Sequence, residues 1–530
     1  TNTIRSSSAA SDVYKRQQQG SPAEGLLQPG DILVRVNGRM VSTFEPLARV
    51  LDESVGESVD IAVERGGSVL NHRLAVQDLH SITPDAYLEF GDAVVHDLSY
   101  QMARHLNAPV SGVFVANPGY SLGAAGVPRA AVIETFDGRP MANLEDFEQA
   151  ISGLAEGERA AIRYFTQEDP QGTETRLMRM DWRWFPARHC ERDDETGYWL
   201  CRDLTPPAAQ PPRIPASTTI AGTGDKRIDK VAASLVLVNF DMPFSVAGVT
   251  ERNYHGTGVI ADLDRGLVLV DRNTVPVAVG DVRITVAGSI EVPGRVTYVH
   301  PLHNLAVVSF DPALLGDTPI RQARFDEREL EAGEAVMVVG MNGDSRVRSI
   351  STTIASIDDV NFPLSRTLQF RDANLEVASL VNPPSGFDGV LVGNDGRVRA
   401  MWSSFATESG REAVQVTRGI PAELAVETVE AAKSGAPLYS LEVEFEALSI
   451  STARKFGLTD EWVNRIESHD PRHRQVLVVS RLVADSPAAG VLKAGDLLLS
   501  VDDGIAVRFS VVVRAVLGPV GLLVVVGEGG

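Results

Sequence analysis

Ser385 and the histidines 255, 300 and 303 are residues whose types could perform nucleophilic hydrolysis, a hydroxyl attacking while an imidazole takes its proton. His300 and His303 also form an HxxH pair of the kind that ligates metals. No third ligand stands at a motif spacing, so a polar strand-edge pair is the better reading and no metal is expected. Cys190 and Cys201, in FPARHCERDDETGYWLC, cannot fill a structural zinc site with His189 alone. The favoured reading is a pair of reduced thiols in a hairpin, with a disulfide as the alternative in an oxidising compartment. No spacing implies a cofactor.

These residues lie among short β-branched runs separated by Gly, Asn and Asp turns: VAASLVLVNF, GTGVIADLDRGLVLVD, DVRITVAG, NLAVVSF, EAVMVVGM and GVLVGNDGRVRAMW. Many short strands at such spacing predict an all-β barrel or sandwich from Ile228 to about Val429. Before it, residues 204 to 227 are Pro-rich and read as an extended, semi-rigid linker. Trp182, Trp184 and Trp199 read as packed core or an interdomain strap rather than a ligand cage. A length of 530 residues implies several domains, at roughly 150 residues each. A net charge of −21 would repel nucleic acid and anionic lipid, so neither is expected as a partner. No run reaches the about 18 apolar residues a membrane helix needs. Residues 1–17 lack periodicity and an apolar h-region, and resemble a translated sequencing adaptor more than a targeting peptide. GLLVVVGEGG ends inside what reads as an unfinished domain, so the chain is expected to be a fragment, and its compartment cannot be read.

Three segments repeat a pattern of small residues, apolar and charged turns and a β-rich run. They are GSPAEGLLQPGDILVRVNG at 20–38, NPGYSLGAAGVPRAAVIETFDG at 117–138 and DSPAAGVLKAGDLLLSVDDG at 485–504. The element resembles the signature half of PDZ domains in the order found in HtrA/Deg proteases. That resemblance implies capture of extended or C-terminal segments of protein substrates by strand addition, with a tight loop holding a terminal carboxylate. The loops would be Tyr87, Leu88, Glu89, Phe90 and Gly91 in one unit, and Leu441, Glu442 and Val443, within YSLEVEF, in another. Glu89 and Glu442 stand where glycine is usual, and a carboxylate there opposes an incoming carboxylate. SYQMARHLN and SISTARKFGL would supply the helices that wall the grooves.

HGTGVIADLDRGLVLVDRNTV, VHPLHNLAVVSFD and VNPPSGFDGVLVG are similar to the three elements that carry the triad of an HtrA protease domain. Laid on that pattern, Asn273 takes the histidine's place, Asn304 the aspartate's and Phe387 the nucleophile's. None of the three can abstract a proton or attack, and Asp388 would oppose charge on a tetrahedral oxygen. An active hydrolase with a relocated triad using Ser385 is the alternative; two extended residues span about 7 Å, too far from the former site. VDRNTV and HPLHN resemble the second, degenerate protease domain of the long tandem Deg type, Deg7-like in plants and Nma111-like in fungi. The expected fold is therefore mostly β and multidomain, an inactive trypsin-like double β-barrel flanked by PDZ-like α+β domains. The expected boundaries are a partial PDZ-like domain at 18–80, a second at 81–203, the linker at 204–227, the barrel at 228–430 and a truncated third PDZ-like domain at 431–530. The resemblance implies the peptide-binding, regulatory half of a serine endopeptidase of protein quality control. Its implied partners are an active protease domain upstream in the parent chain and, among family members, further copies in a homo-oligomer.

Overall fold

The computed structural model describes residues 20–170, 172–207, 213–246, 249, 251–360, 372–409, 412–502, 504–510, 512 and 523–526. It divides into two compact units, Thr1–Pro212 and Arg213–Gly530. The stretch 1–17 lies outside the described residues.

The first unit holds two sheets. In the smaller, Arg39–Met40, Ile32–Val36, Ser58–Arg65 and Ser68–Ala75 lie in that order. The SVDIAVER run turns Val59, Ile61 and Val63 inward, the period-two alternation of a half-buried strand. The larger sheet runs Glu174–Arg179, Arg159–Phe165, Val132–Phe136, Val113–Asn117, Ala93–Asp97, Ala86–Phe90, Arg188–Arg192, Trp199–Asp203, with Arg139–Pro140 paired to Val132–Phe136. Helix Leu144–Ser152 packs on it. Asn143 caps the helix by accepting from Asp146 N at 2.9 Å. Leu144, Phe147 and Ile151, spaced i, i+3, i+7, form its buried stripe.

Cys190 and Cys201 form a disulfide, which corrects the expectation of reduced thiols. The hairpin register sets the two residues directly opposite each other, with Cα atoms 4.0 Å apart. The spacing of eleven residues did not reveal that register.

In the second unit, two six-stranded barrels close in succession. The first is Leu235–Asp241, Asn253–Asp262, Leu267–Val270, Ala306–Phe310, Ile290–Val299 and Asp281–Val286; the second is Ala335–Met341, Val347–Asp359, Glu376–Leu380, Glu412–Pro421, Val398–Ser409 and Gly389–Val392. Closure removes the free edges that isolated sheets expose. The barrels share one core, in which Val259, Leu269 and Val307 of the first meet Val339, Val390 and Met401 of the second, with Ala425 and Val429 of helix Ala422–Ser434. A last sheet follows, Val443–Ser449, Gln475–Leu482, Leu497–Val501 and Gly504–Ile505, with Leu523–Val526 on Leu497–Val501. Part of the Pro-rich stretch is tied to the first barrel rather than free: Ala216 N donates to Leu314 O at 3.0 Å and Thr218 N to Thr318 Oγ1 at 3.0 Å. No described helix is long and apolar enough to cross a membrane.

Candidate functional site

Segments 271–274, 303–304 and 387–388 converge on the seam between the two barrels. Asn304 is fully buried, and every polar atom of its carboxamide is engaged. Its Oδ1 accepts from Arg272 N at 2.9 Å, and its Nδ2 donates to Ser404 O at 2.6 Å, across the seam. Its backbone N donates to Asp372 Oδ1 at 2.8 Å. Asn273 is half-buried in the turn beside Arg272, a turn closed when Thr274 N donates to Asp271 Oδ1 at 2.9 Å. Phe387 is partly buried and packs on the second barrel's core beside Trp402, with its Cδ2 2.8 Å from where a Cβ on Gly340 would lie.

Two carboxylates organise the seam, Asp271, which the sequence reading does not single out, and Asp388, which it reads only as opposing an oxyanion. Asp271 Oδ2 accepts from Ser404 N at 2.9 Å, a second bridge between barrels. Asp388 Oδ1 accepts from Thr257 N at 3.0 Å, while the Thr257 hydroxyl donates to Asp388 O at 3.0 Å and accepts from Met341 N at 2.9 Å. Asp388 is only half-buried as a residue, yet its carboxylate faces inward. Its Oδ2 and the Thr274 Oγ1 lie 2.5 and 2.0 Å from where Gly256 would carry a Cβ. Any side chain at 256 would displace them, so glycine is required there for close approach rather than for a turn. Burial raises the pKa of both Asp271 and Asp388, and the Asp271 charge raises that of Asp388 further. Burial also pushes Asp372 up to about 7. The same desolvation acts oppositely on the imidazoles, taking His300 down to about 3 and His303 to about 4, so both are neutral at physiological pH. The VDRNT spelling, an Asp three residues before a Thr, was the available signal for the Asp271 turn.

Ser385 is exposed, and among the described residues no hydrogen bond joins it to His255, His300 or His303. His300 Nδ1 instead accepts from Leu302 N at 3.2 Å and His303 N at 2.9 Å, fixing the HPLHN turn. His255 is exposed on strand Asn253–Asp262. No cluster of three metal-ligating side chains occurs among the described residues.

The expected peptide loop at 87–91 is not a loop. Ala86–Phe90 is a strand, joined to Ala93–Asp97 by a two-residue turn in which Gly91 and Asp92 both have positive φ (50° and 62°). Leu88 and Phe90 are fully buried, and Phe90 meets Phe147 of the 144–152 helix with ring centroids 5.6 Å apart. Strand Ala93–Asp97 thus has partners on both sides, Val113–Asn117 and Ala86–Phe90, and Arg188–Arg192 then covers the outer edge of Ala86–Phe90. Glu89 is held in an ion pair, its Oε2 2.6 Å from Arg188 Nη2. Tyr87 packs on Trp199 at 5.1 Å. The helix against these strands is Leu144–Ser152, bound to the added hairpin through Glu148, whose carboxylate meets His189 at 2.5 Å and Arg202 at 2.7 Å. Helix Tyr100–Leu106, expected to wall the groove, buries Ala103 and Leu106 against Leu98, Val132 and Phe165 instead. The outer pairing of Arg188–Arg192 spans about a hundred residues of sequence, and no local spacing announces it.

At the other expected loop, Leu441 is half-buried against the last sheet's core, Val443 begins an edge strand and Glu442 is exposed at φ 56°, in the left-handed region. Ser440 Oγ accepts from Glu442 N at 2.9 Å.

Two closed six-stranded barrels in tandem form a trypsin-like double barrel along with sheet-and-helix units, and the chain is an HtrA/Deg-like protein with PDZ domains. Residues 81–156 match a PDZ-like domain family and residues 13–65 a PDZ domain family, the latter reaching into the 1–17 stretch set aside above. The "pro-apoptotic serine protease nma111" of Aspergillus terreus is 32% identical over 508 residues, covering 92% of this chain and 49% of that protein. A "PDZ domain-containing protein" of Schizosaccharomyces pombe is 32% identical over 490 residues, covering 90% and 49%. The chain therefore spans about half the length of the curated relatives it matches. Among solved structures, the HtrA-type protease AlgW with a tripeptide aligns over 57% of this chain and 92% of that one, at 18% identity and a TM-score of 0.41.

Proposed function

We propose that this chain is the peptide-handling and regulatory half of an HtrA/Deg-like serine endopeptidase of protein quality control, and that its own double barrel is non-catalytic. The observation that carries the reading is Asn304. At the position resembling the catalytic aspartate's stands a neutral amide whose acceptor is taken up by Arg272 N within the first barrel and whose donor is taken up by Ser404 O of the second, so it is committed to structure rather than to orienting a base. Asn273 and Phe387, at the positions resembling the base's and nucleophile's, supply neither a proton acceptor that titrates near neutral pH nor a nucleophile. Asp388, next to Phe387, turns its carboxylate inward onto Thr257 N and so serves the seam between the barrels. On this reading cleavage belongs to a protease domain elsewhere in the parent chain, and this half receives extended peptide segments or joins subunits.

The test is direct. The purified chain should hydrolyse no casein, and a serine-directed phosphonate should label none of its residues. Labelling of any barrel serine, Ser385 first among them, would overturn the reading.

A further inference from the structure

The last sheet ends on Val443–Ser449, an edge strand whose outer backbone groups are available for pairing. Two side chains of the second barrel occupy that edge. Asn374 Oδ1 accepts from Phe445 N at 2.8 Å while its Nδ2 donates to Val443 O at 2.8 Å, so one carboxamide offers the strand the acceptor and donor that a neighbouring peptide backbone would. Asp359 Oδ2 accepts from Ala447 N, two residues on, at 3.0 Å. Side-chain surrogates of this kind satisfy the edge while burying little apolar surface.

Beside this edge lies a cavity of about 290 Å³ between the strand and helix Ala422–Ser434, with Leu424, Leu438, Leu441, Phe445 and Val512 in its wall. A second, of about 280 Å³, adjoins it and shares His303, Asn374, Leu424 and Glu427. Two of these shared groups lack partners. His303 is 2% exposed and its Nδ1 has no hydrogen-bond partner, the Asp372 carboxylate standing 4.0 Å away. Glu427 makes no ion pair or hydrogen bond among the described residues, in contrast to Glu430, which meets Lys433, and Glu376, which meets Arg508. Burial, with the nearby Glu327 charge, raises the Glu427 pKa, the condition of a carboxylate that lacks a cation.

We propose that this seam is a gated peptide site. Asn374 and Asp359 hold the 443–449 edge until an extended segment displaces them, seats an apolar side chain in the cavity and sets a lysine or arginine on Glu427. His303 then meets a backbone amide of the occupant. The segment is internal rather than a chain terminus, because Glu442 at the expected clasp repels a terminal carboxylate. This rests on the reading of the last sheet as PDZ-like, and it adds a gate and a ligand class.

The experiment uses the full chain and a fluorescein-labelled, C-terminally amidated decapeptide alternating lysine and valine around one phenylalanine, followed by anisotropy. Freeing the edge by Asn374→Ala should tighten binding about tenfold, and adding Glu427→Gln should remove about that gain. A free C-terminal carboxylate on the peptide should bring no improvement. Should Asn374→Ala fold poorly by circular dichroism, Asn374→Asp keeps the acceptor for Phe445 N, loses the donor to Val443 O, and should tighten binding less. Folded Asn374 variants that bind no tighter than wild type, or tight binding indifferent to Glu427→Gln, would overturn the gate. Absence of binding by every variant overturns it too, yet leaves the non-catalytic barrel standing, since that reading fails only on phosphonate labelling.

Discussion

Asn304 Nδ2 donates to Ser404 O at 2.6 Å, so the two barrels are joined through the side chain at the position that resembles a catalytic aspartate's. The bond needs an amide. In Asn304→Asp, the oxygen facing Ser404 O has no proton to give, and a new carboxylate arrives beside Asp372, which already accepts from Asn304 N. The expected loss is about 2–3 kcal/mol of unfolding free energy, the cost of a buried unsatisfied polar group, measured by urea denaturation at neutral pH. An unchanged urea midpoint would show that the clasp contributes nothing.

A triple variant Asn273→His, Asn304→Asp, Phe387→Ser should remain unreactive toward a serine-directed phosphonate. Residue types alone would be restored, while Asp388 stays bound to Thr257 N and Asp271 stays bound to Ser404 N. Labelling at the new serine would mean that the seam relaxes far more readily than its hydrogen bonds suggest.

The buried acids predict a pH dependence with a definite sign. Asp271, Asp388 and Asp372 all have folded pKa values above their unfolded ones, so the folded chain binds more protons. Their contribution is complete below the unfolded value of about 4 and is lost as pH rises, through about 7 for Asp388 and Asp372. His300 and His303 act oppositely, with folded values of about 3 and about 4; theirs is present above about 6.5 and lost as pH falls toward those values. An asparagine at 388 imitates the protonated acid. Asp388→Asn should therefore match wild type near pH 3 and exceed it by on the order of 4 kcal/mol near pH 8, read from urea midpoints. Equal stability at both ends would rule out a titrating pair.

Removing the disulfide with Cys190→Ser, Cys201→Ser should cost about 3 kcal/mol on the loop-entropy account of a short closed loop. Hydrogen exchange should rise in Arg188–Arg192 and Trp199–Asp203 and then in Ala86–Phe90, the strand they cover. Exchange confined to the hairpin turn would show that Glu148 and the sheet hold it without the bridge.

The barrel strands were legible because they are local: runs such as LVLVNF and GLVLVD are short, β-branched and bounded by turn residues, which leaves barrel or sandwich open, and the choice of a closed double barrel came from the family resemblance. The run GVLVGNDGRVRAMW is local in the same way, its two strands Gly389–Val392 and Val398–Ser409 pairing across the NDG turn. Tyr87 to Phe90 were read as a loop because their spelling was weighed against a family pattern. The Gly91–Asp92 pair after them is itself a hairpin signal, and the strand beyond, Arg188–Arg192, comes from far along the chain. Asp271, Thr257 and Ser404 escaped notice because polar residues act at a seam only once the fold brings together positions more than a hundred apart. Asn374 escaped for the same reason, its two bonds reaching about seventy residues ahead.

Gly256 fixes how the joint between the barrels can change. With Thr274 Oγ1 and Asp388 Oδ2 filling the space that a Cβ on Gly256 would need, each of the three positions constrains the other two. A side chain at 256 displaces both oxygens, so this joint accepts substitution only where its neighbours are altered in step.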